Sequence, residues 1–118
     1  MLVFVDANNV RRSQWPNLSD EELVERVRAW AERHEHESVI VFDRTAPGGI
    51  VGTERLDGRT TLVGSGPESA DEWLIGEVPA HPGAWLVTSD RELRERAGER
   101  AERVIGGGAF ASLLLGDR

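Results

Sequence analysis

The chain lacks cysteine and lysine, and it has no long hydrophobic run. Without cysteine, disulfides, thiolate catalysis and zinc–thiolate sites are excluded. Without lysine, every mechanism that depends on a lysine side chain is excluded, since all 14 basic residues are arginine. No apolar run approaches a membrane span, and we expect no signal peptide, because the first apolar run, residues 2–5, is short and ends at Asp6. These absences predict a soluble, cytoplasmic protein.

The balance of charged side chains is acidic. The 118 residues include 21 acidic and 14 basic side chains, which gives a formal net charge of −7. An acidic total argues against a protein that coats nucleic acid non-specifically. It does not argue against a nuclease, because the field at a substrate site depends on local charges more than on their sum. The length is that of one domain, and we predict that residues 1–118 form a single domain.

Strand-like and helix-like segments alternate along the chain, which is the pattern of a parallel α/β fold. Short apolar runs predict strands at residues 2–5, 38–42, 60–63, 84–88 and 103–105. Helices are predicted to begin near residues 19, 69, 89 and 109. The first two of these helix starts, at Ser19 and Ser69, have the S-x-x-E form of a capping box.

The segments between these elements are predicted to be irregular. Residues 11–18 form a predicted loop, in which Trp15 either offers a surface for base stacking or, as we favour, packs over the edge of the core. Residues 45–59 fit an exposed loop or a poorly paired hairpin. The glycine runs at 64–66 and 106–108 could cradle phosphate, but neither has the P-loop pattern, so we interpret both as turns.

Two further groups of residues are assigned no chemistry. His34, His36 and His81 have no metal-ligand spacing to any acid in the sequence. The apolar run at residues 113–115 belongs either to the core or to an interface between subunits, and we favour the core.

Four of the seven aspartates stand where the predicted strands end or the predicted helices begin: Asp6, Asp43, Asp71 and Asp90. The carboxyl ends of parallel strands share one edge of an open α/β sheet, and ligands bind at that edge. Four carboxylates in one cleft repel one another unless a cation or shared protons neutralise them. The short, rigid side chain of aspartate suits Mg²⁺ or Mn²⁺. The sequence therefore predicts a divalent-metal site.

Each of these aspartates also has a structural interpretation. Asp6 and Asp43 stand at turns, where aspartate bonds its own backbone. Asp71 and Asp90 lie in first helical turns, where a carboxylate accepts hydrogen bonds from free N–H groups. The placement of all four at equivalent positions, in a chain where glutamate is the more frequent acid, favours the functional interpretation.

A metal held by carboxylates keeps positions open for a phosphate oxygen and a water, so phosphodiester hydrolysis is the natural chemistry of such a site. Arginines close to the acids could hold flanking phosphates: Arg11, Arg12, Arg44 and Arg91. Solvated surface charge, or ion pairs with the acids themselves, is an equal alternative for each of these arginines. Asn8 could contact the substrate and Thr88 could position water or phosphate, but we favour a turn residue for Asn8 and a strand-end residue for Thr88.

Three segments are distinctive in their order and spacing: residues 4–10 (FVDANNV), 69–73 (SADEW) and 88–93 (TSDREL). Together they resemble the NYN domain, a branch of the PIN-like ribonucleases, and are most similar to its YacP-like bacterial members. The resemblance spans nearly the whole chain and includes residues 106–110 before the last helix. It implies a three-layer α/β sandwich with a mainly parallel central sheet. It also implies an endoribonuclease that depends on Mg²⁺ or Mn²⁺ and takes RNA as its substrate.

The resemblance assigns roles to individual residues. Asp6, Asp71 and Asp90 match the family's acidic metal-binding positions. Asn9 matches an asparagine of the first motif that supports the site by hydrogen bonding. Asp43 matches a further acid of the YacP-like branch. These five residues are the catalytic set that the resemblance implies.

Two positions depart from the family's pattern. Ala7 stands where glycine is usual, and Glu72 stands where many relatives have a second aspartate. Neither departure removes a matched acid. The alternative function is a catalytically silent PIN-like module that binds RNA or a protein partner, but such a module has no need of four mutually repelling carboxylates. A phosphoacceptor of the receiver kind ranks lower, because its site relies on a lysine.

Overall fold

The computed structural model describes residues 1–13 and 16–116, and these residues form one sheet connected by helices. The strands are β1 (Leu2–Asp6), β2 (Glu37–Phe42), β3 (Gly52–Arg55), β4 (Thr60–Gly64), β5 (Trp85–Val87) and β6 (Arg103–Ile105). The helices are α1 (Ala7–Arg12), α2 (Asp20–Arg33), α3 (Ala70–Glu77), α4 (Arg91–Ala97) and α5 (Gly107–Gly116), and a 3-10 turn at Val78–Ala80 follows α3.

The sheet has the strand order β3-β4-β2-β1-β5-β6. Every neighbouring pair is parallel except β3 and β4, which are antiparallel. Strand β1 is central, and the chain first builds the sheet on the β2 side and then crosses to the β5 side. The carboxyl end of β1 is therefore the switch point of the sheet, which is where open α/β sheets bind their ligands.

Alternating side chains of β1 enter two separate cores, one on each face of the sheet. Val3 and Val5 pack with apolar residues of α1, α2 and α5 on one face. Phe4 packs with those of α3 and α4 on the other face. Because helices cover both faces, the parallel strands are apolar on both sides rather than alternating with polar residues. The predicted three-layer α/β sandwich with a mainly parallel sheet is confirmed.

The capping box predicted at Ser19 is confirmed, and at Ser69 only one of the two hydrogen bonds of a capping box is present. At Ser19, the hydroxyl accepts from the Glu22 N–H at 3.1 Å, and the Glu22 carboxylate accepts from the Ser19 N–H at 3.2 Å. At Ser69, the hydroxyl accepts from the Glu72 N–H at 3.1 Å. Here the Glu72 carboxylate lies 3.6 Å from the Arg96 guanidinium instead, because α4 brings that cation alongside α3.

Two predictions of irregular structure are wrong. Residues 11 and 12 complete helix α1 rather than opening a loop. This six-residue helix has no side-chain cap, and it is held by its buried residues Ala7 and Val10. Gly107 and Gly108 form the first turn of α5 rather than a turn between elements. In both places tertiary packing overrides weak local helix propensity.

Two further segments, for each of which the sequence allows two interpretations, are clarified by the structure. Within residues 45–59, β3 pairs with β4 as an antiparallel hairpin, so the hairpin interpretation is right. In the run 113–115, only Leu114 is fully buried, while Leu113 is 46% exposed. Trp15 lies outside the described residues. None of the helices in the described part of the chain is long and apolar enough to cross a membrane.

Candidate active site

A cleft of ≈200 Å³ opens at the carboxyl end of β1, at the switch point of the sheet. It is lined by Asp6, Asn8, Asn9, Arg12, Asp43, Ser69, Asp71 and Asp90. The four aspartates that the sequence singles out therefore share one cleft, together with Asn9. They reach it from the ends of β1 and β2 and from the beginnings of α3 and α4.

Asp6 is the most buried acid of the cleft, with 5% of its surface exposed. Burial, together with the charges of Asp71 and Asp43, raises its pKa from 3.8 to about 6. A hydrogen bond from the Thr88 hydroxyl, at 2.9 Å, opposes this rise. Thr88 is itself fully buried, and its hydroxyl also accepts from the Asp90 N–H at 3.1 Å. One hydroxyl thus connects two of the four acids.

Asp43 follows β2 and is braced by two neighbouring elements. One carboxylate oxygen accepts from the Ala70 N–H at the start of α3, at 2.7 Å. The other oxygen accepts from the Asn8 amide of α1, at 2.6 Å. Asn8 is therefore a helical residue that holds an acid of the cleft, rather than the turn residue that the sequence suggests.

Asp71 and Asp90 differ in how their carboxylates are used. Asp90 is the N-cap of α4, and one of its oxygens accepts from the Leu93 N–H at 2.9 Å. The cap interpretation is therefore correct for Asp90. Asp71 is half-buried in the first turn of α3, and its carboxylate accepts no hydrogen bond within the described residues. Burial, followed by the charges of Asp90 and Asp43, raises the pKa of Asp71.

Asn9 organises the backbone beside the cleft. Its side-chain oxygen accepts from the Ser89 N–H at 2.9 Å, and the Ser89 hydroxyl accepts from the Gly107 N–H at 2.7 Å. A Cβ at Gly107 would overlap the Asn9 side-chain oxygen and would lie 2.9 Å from the Ser13 hydroxyl oxygen. The glycine is needed here because α5 begins in contact with the Asn9 side chain.

The arginines predicted beside the acids take different places. Arg12 lines the cleft itself, and Arg44 and Arg91 line neighbouring clefts on opposite sides of it. The Arg11 guanidinium lies 2.9 Å from the Asp20 carboxylate, and it donates to the Leu18 carbonyl. Arg11 thereby ties α1 to the start of α2 and does not line the cleft.

None of the four cleft acids forms an ion pair with any described residue. Elsewhere in the molecule, arginines do pair with acids, as Arg28 does with Asp57 at 2.9 Å. The mutual repulsion of the cleft acids contributes to the raised pKa values of Asp6 and Asp71. A group of unpaired carboxylates of this kind has the charge and the oxygen donors that a cation requires.

The fit to a divalent cation follows from the donor chemistry. The cleft offers carboxylate and amide oxygens, which hard cations such as Mg²⁺ and Mn²⁺ prefer. Within residues 1–13 and 16–116, no three acidic or imidazole side chains already stand in metal-binding geometry. Mg²⁺ itself is usually bound through one or two carboxylates and keeps several of its own waters.

Thr88 and Asn8 are the site residues whose roles sequence reasoning missed. Thr88 donates to an acid that is 82 positions away in the chain, and Asn8 donates to one that is 35 positions away. For Thr88, the available signal was a polar side chain at the end of an apolar strand, two residues before Asp90. That signal indicates a site residue only once β1 and β5 are known to be neighbours.

The fold is similar to that of Rae1 (YacP) from Bacillus subtilis. A mutant of that protein aligns with a TM-score of 0.72 and 17% identity, covering 98% of this chain and 75% of that chain. A second Rae1 structure gives 0.71 and 15%, covering 98% and 74%. The T5 D15 protein, co-crystallized with metal ions, gives 0.50 and 11%, covering 86% and 53%. No family model and no curated protein matches the sequence.

These similarities establish that this chain shares its α/β fold with Rae1 (YacP). They also confirm, at the level of the fold, the resemblance to the YacP-like branch that the sequence motifs indicate.

Proposed function

We propose that residues 1–118 form a single domain that acts as a divalent-metal-dependent endoribonuclease, hydrolysing RNA phosphodiester bonds in the cleft at the carboxyl end of β1. The observation that carries this proposal is the set of four carboxylates in one cleft, without an ion pair to any described residue. The nuclease-type fold and the position of the cleft at the switch point support it.

Asp6, Asp71 and Asp90 are the proposed holders of Mg²⁺ or Mn²⁺. Within the described residues, the Asp71 carboxylate accepts no hydrogen bond, and Asp90 uses only one oxygen to cap α4. A bound cation would stabilise negative charge on the phosphate and lower the pKa of a water. The T5 D15 protein, which shares the fold, was co-crystallized with metal ions, and this supports a metal-dependent site here.

The remaining residues of the cleft have supporting roles in this proposal. Thr88 orients Asp6 and the Asp90 backbone through one hydroxyl, and Asn9 holds the Ser89 backbone through its amide oxygen. Asp43 contributes negative charge and, through its bonds to Asn8 and Ala70, fixes the spacing between α1 and α3. A rigid arrangement of this kind keeps a water and a phosphate within reach of each other.

Arginines at the rim of the cleft would hold the substrate. Arg12 lines the cleft with the acids, and Arg44 and Arg91 line the clefts on either side. Guanidinium groups bind phosphate with two parallel hydrogen bonds, which also orients the group. Arg11 is left out of this set, because its guanidinium is engaged with Asp20 and Leu18.

The test combines a metal titration with a cleavage assay. Calorimetry with Mn²⁺ is performed on the wild type, Asp71→Asn, Asp90→Asn and the control Glu99→Gln, which removes one exposed charge far from the cleft. The same proteins are then incubated with labelled single-stranded RNA and Mn²⁺. We expect Mn²⁺ binding and internal RNA cleavage in the wild type and control, and a loss of cleavage of more than about a hundredfold in both aspartate variants.

Two results would contradict the proposal. Full cleavage activity in Asp71→Asn or Asp90→Asn would remove these residues from the site. No Mn²⁺ binding by the wild type at millimolar concentration would mean that the acids have only structural roles, as helix caps and hydrogen-bond acceptors. A catalytically silent module that binds RNA or a protein would then be the better interpretation of this chain.

A further inference from the structure

We infer that Arg91 and Arg94 form a second phosphate-binding subsite, which holds the RNA strand where it leaves the acidic cleft on the β6 side. This inference rests on the proposed function, because it assigns more of the same substrate to a surface beside the same site. It adds Arg94 to the substrate-binding residues and gives the RNA one preferred direction across the sheet edge.

The two arginines stand on one face of α4, since residues three apart on a helix are neighbours. They line a cleft of ≈470 Å³ together with Ser89, Glu95 and Val104. Ser89 is followed by Asp90, which lines the acidic cleft, so the two clefts adjoin at the start of α4. A strand bound at the acids reaches Arg91 and Arg94 by continuing along this edge.

The guanidinium groups of Arg91 and Arg94 are available to a ligand. Both side chains are exposed, and neither has a hydrogen bond or ion pair with any described residue. Arg96 on the same helix is different, because it lies 3.4 Å from Glu92 and 3.6 Å from Glu72. Two unpaired like charges one helical turn apart repel each other, and an anionic phosphate between them relieves that repulsion.

The opposite side of the acidic cleft has the reverse charge balance. The cleft there, of ≈400 Å³, places Arg44 together with Asp43 and Glu68, so acids outnumber arginine. On the β6 side, Arg91 and Arg94 outnumber the one acid, Glu95. A polyanion is therefore attracted more strongly to the β6 side than to the β4 side. The half-buried Val104 gives the favoured side an apolar floor for a sugar or base.

The experiment measures RNA binding without cleavage. Fluorescence anisotropy of a labelled single-stranded RNA is recorded in EDTA for the wild type, the double variant Arg91→Ala/Arg94→Ala, Arg44→Ala and Arg100→Ala. Arg100 is the matched control, because it is exposed and lies beyond α4, in the loop before β6 at the opposite sheet edge. We expect the double variant to raise Kd about tenfold and to reduce the slope of log K against log salt by about 1.4. Arg100→Ala stays within about twofold of the wild type, whereas Arg44→Ala, whose guanidinium shares its cleft with Asp43 and Glu68, raises Kd by about threefold at most.

A second double variant, Arg91→Lys/Arg94→Lys, tests whether charge at these positions is what binds. Because lysine binds phosphate as a point charge, this variant should recover part of the lost affinity and most of the salt slope. Unchanged Kd in the alanine double variant would overturn the inference. An equal loss in Arg44→Ala, or no RNA binding by the wild type, would also overturn it.

The outcome separates this inference from the proposed function. If the double variant loses RNA affinity while the wild type shows no Mn²⁺-dependent cleavage, the subsite stands and the endoribonuclease proposal fails. If the wild type cleaves RNA and the double variant cleaves it with unchanged KM and kcat, the endoribonuclease proposal stands and the subsite fails.

Discussion

The two edges of the sheet use their polar side chains in opposite ways. At the carboxyl edge, four acids share a cleft without an ion pair to any described residue. At the amino edge, the His36 ring packs between Trp30 and Trp85 with centroid distances of 4.9 and 4.8 Å. Arg103 there lies over the Trp85 ring at 5.1 Å. The amino edge is packed for stability, whereas the carboxyl edge keeps charge that the protein itself does not neutralise.

This difference is not caused by a shortage of cations. Arg28 pairs with Asp57 at 2.9 Å, and Arg96 pairs with Glu92 at 3.4 Å. Arg12 lines the acidic cleft, yet it forms no ion pair with the acids there within the described residues. A protein that leaves clustered acids unpaired, one of them buried, loses stability, and functional sites are where such losses are expected. The difference between the edges indicates that the carboxyl edge is arranged for a ligand.

The largest expected effect comes from removing the buried charge of Asp6. The folded pKa of Asp6 is about 6 and the unperturbed value is 3.8, so the folded state binds more protons between these pH values. Its contribution to stability is present below pH 3.8 and is lost as the pH rises through 6. Asp6→Asn should therefore raise the free energy of unfolding at pH 8 by up to about 3 kcal/mol. Denaturant unfolding of both proteins in EDTA at pH 4 and pH 8 measures this.

The stabilisation by Asp6→Asn should largely disappear at pH 4, where the folded wild type keeps this acid protonated. An equal difference at both pH values would mean that burial of the Asp6 charge is not its cause. The same variant should lose RNA cleavage, which would show that stability and activity oppose each other at this edge.

The next largest effect is expected at Thr88, which connects two of the acids. Thr88→Val replaces the buried hydroxyl with a methyl group and keeps the shape of the side chain. Asp6 then loses a hydrogen-bond donor, and the Asp90 N–H loses an acceptor. We expect the free energy of unfolding at pH 7 to fall by about 1–3 kcal/mol. The pKa of Asp6 should rise further, because the hydrogen bond that opposed its rise is gone. Thr88→Ser keeps the hydroxyl and is the control; equal losses in both variants would refute the connection.

A smaller effect is expected at the start of α5, where two adjacent glycines differ in their surroundings. A Cβ at Gly107 overlaps the Asn9 side-chain oxygen, whereas a Cβ at Gly108 meets nothing within 4 Å. Gly107→Ala should therefore displace the Asn9 side chain and lower the free energy of unfolding by about 1–2 kcal/mol. Gly108→Ala should be neutral or stabilising by up to about 1 kcal/mol. Thermal unfolding compares the pair, and similar changes in both would show that α5 does not depend on this contact.

The smallest effect is expected at the amino edge. Burial, followed by the charge of the N-terminus, lowers the pKa of His36, so the folded state favours the neutral ring. The stability that His36 contributes is present above its unfolded pKa of 6.5 and is lost as the pH falls below that value. His36→Phe keeps an aromatic ring and should weaken this acid sensitivity. The free energy of unfolding of the wild type and of His36→Phe is measured at pH 7.5 and at pH 5. A difference between the two proteins that is the same at both pH values would contradict this prediction.

The strands and the acids could be predicted because their signals are local. A strand buried on both faces is a continuous apolar run, and the predicted strand at residues 103–105 has the observed bounds. The predicted strand at residues 2–5 is one residue short, because Asp6 still pairs with β2. Asp6 and Asp90 could be selected because each stands at the end of such a run.

The parts that could not be predicted depend on residues far apart in the chain. Helix α1 contains two asparagines, which favour turns in isolation, but Val10 is buried against the core and holds the helix. Gly107 opens a helix because its N–H bonds to Ser89. These outcomes follow from contacts that exist only after β1, β5 and β6 are assembled.

By itself, the sequence determined which segments are buried and which strand ends and helix starts have an aspartate. Periodic apolar runs and capping residues act within a few positions, so they can be recognised without the fold. Only the tertiary structure decided which charges are paired. It engages Arg11 with Asp20, leaves Arg94 without a partner among the described residues, and buries Asp6 beside Thr88. The reason is that pairing and desolvation depend on distances between elements, which the order of residues does not specify.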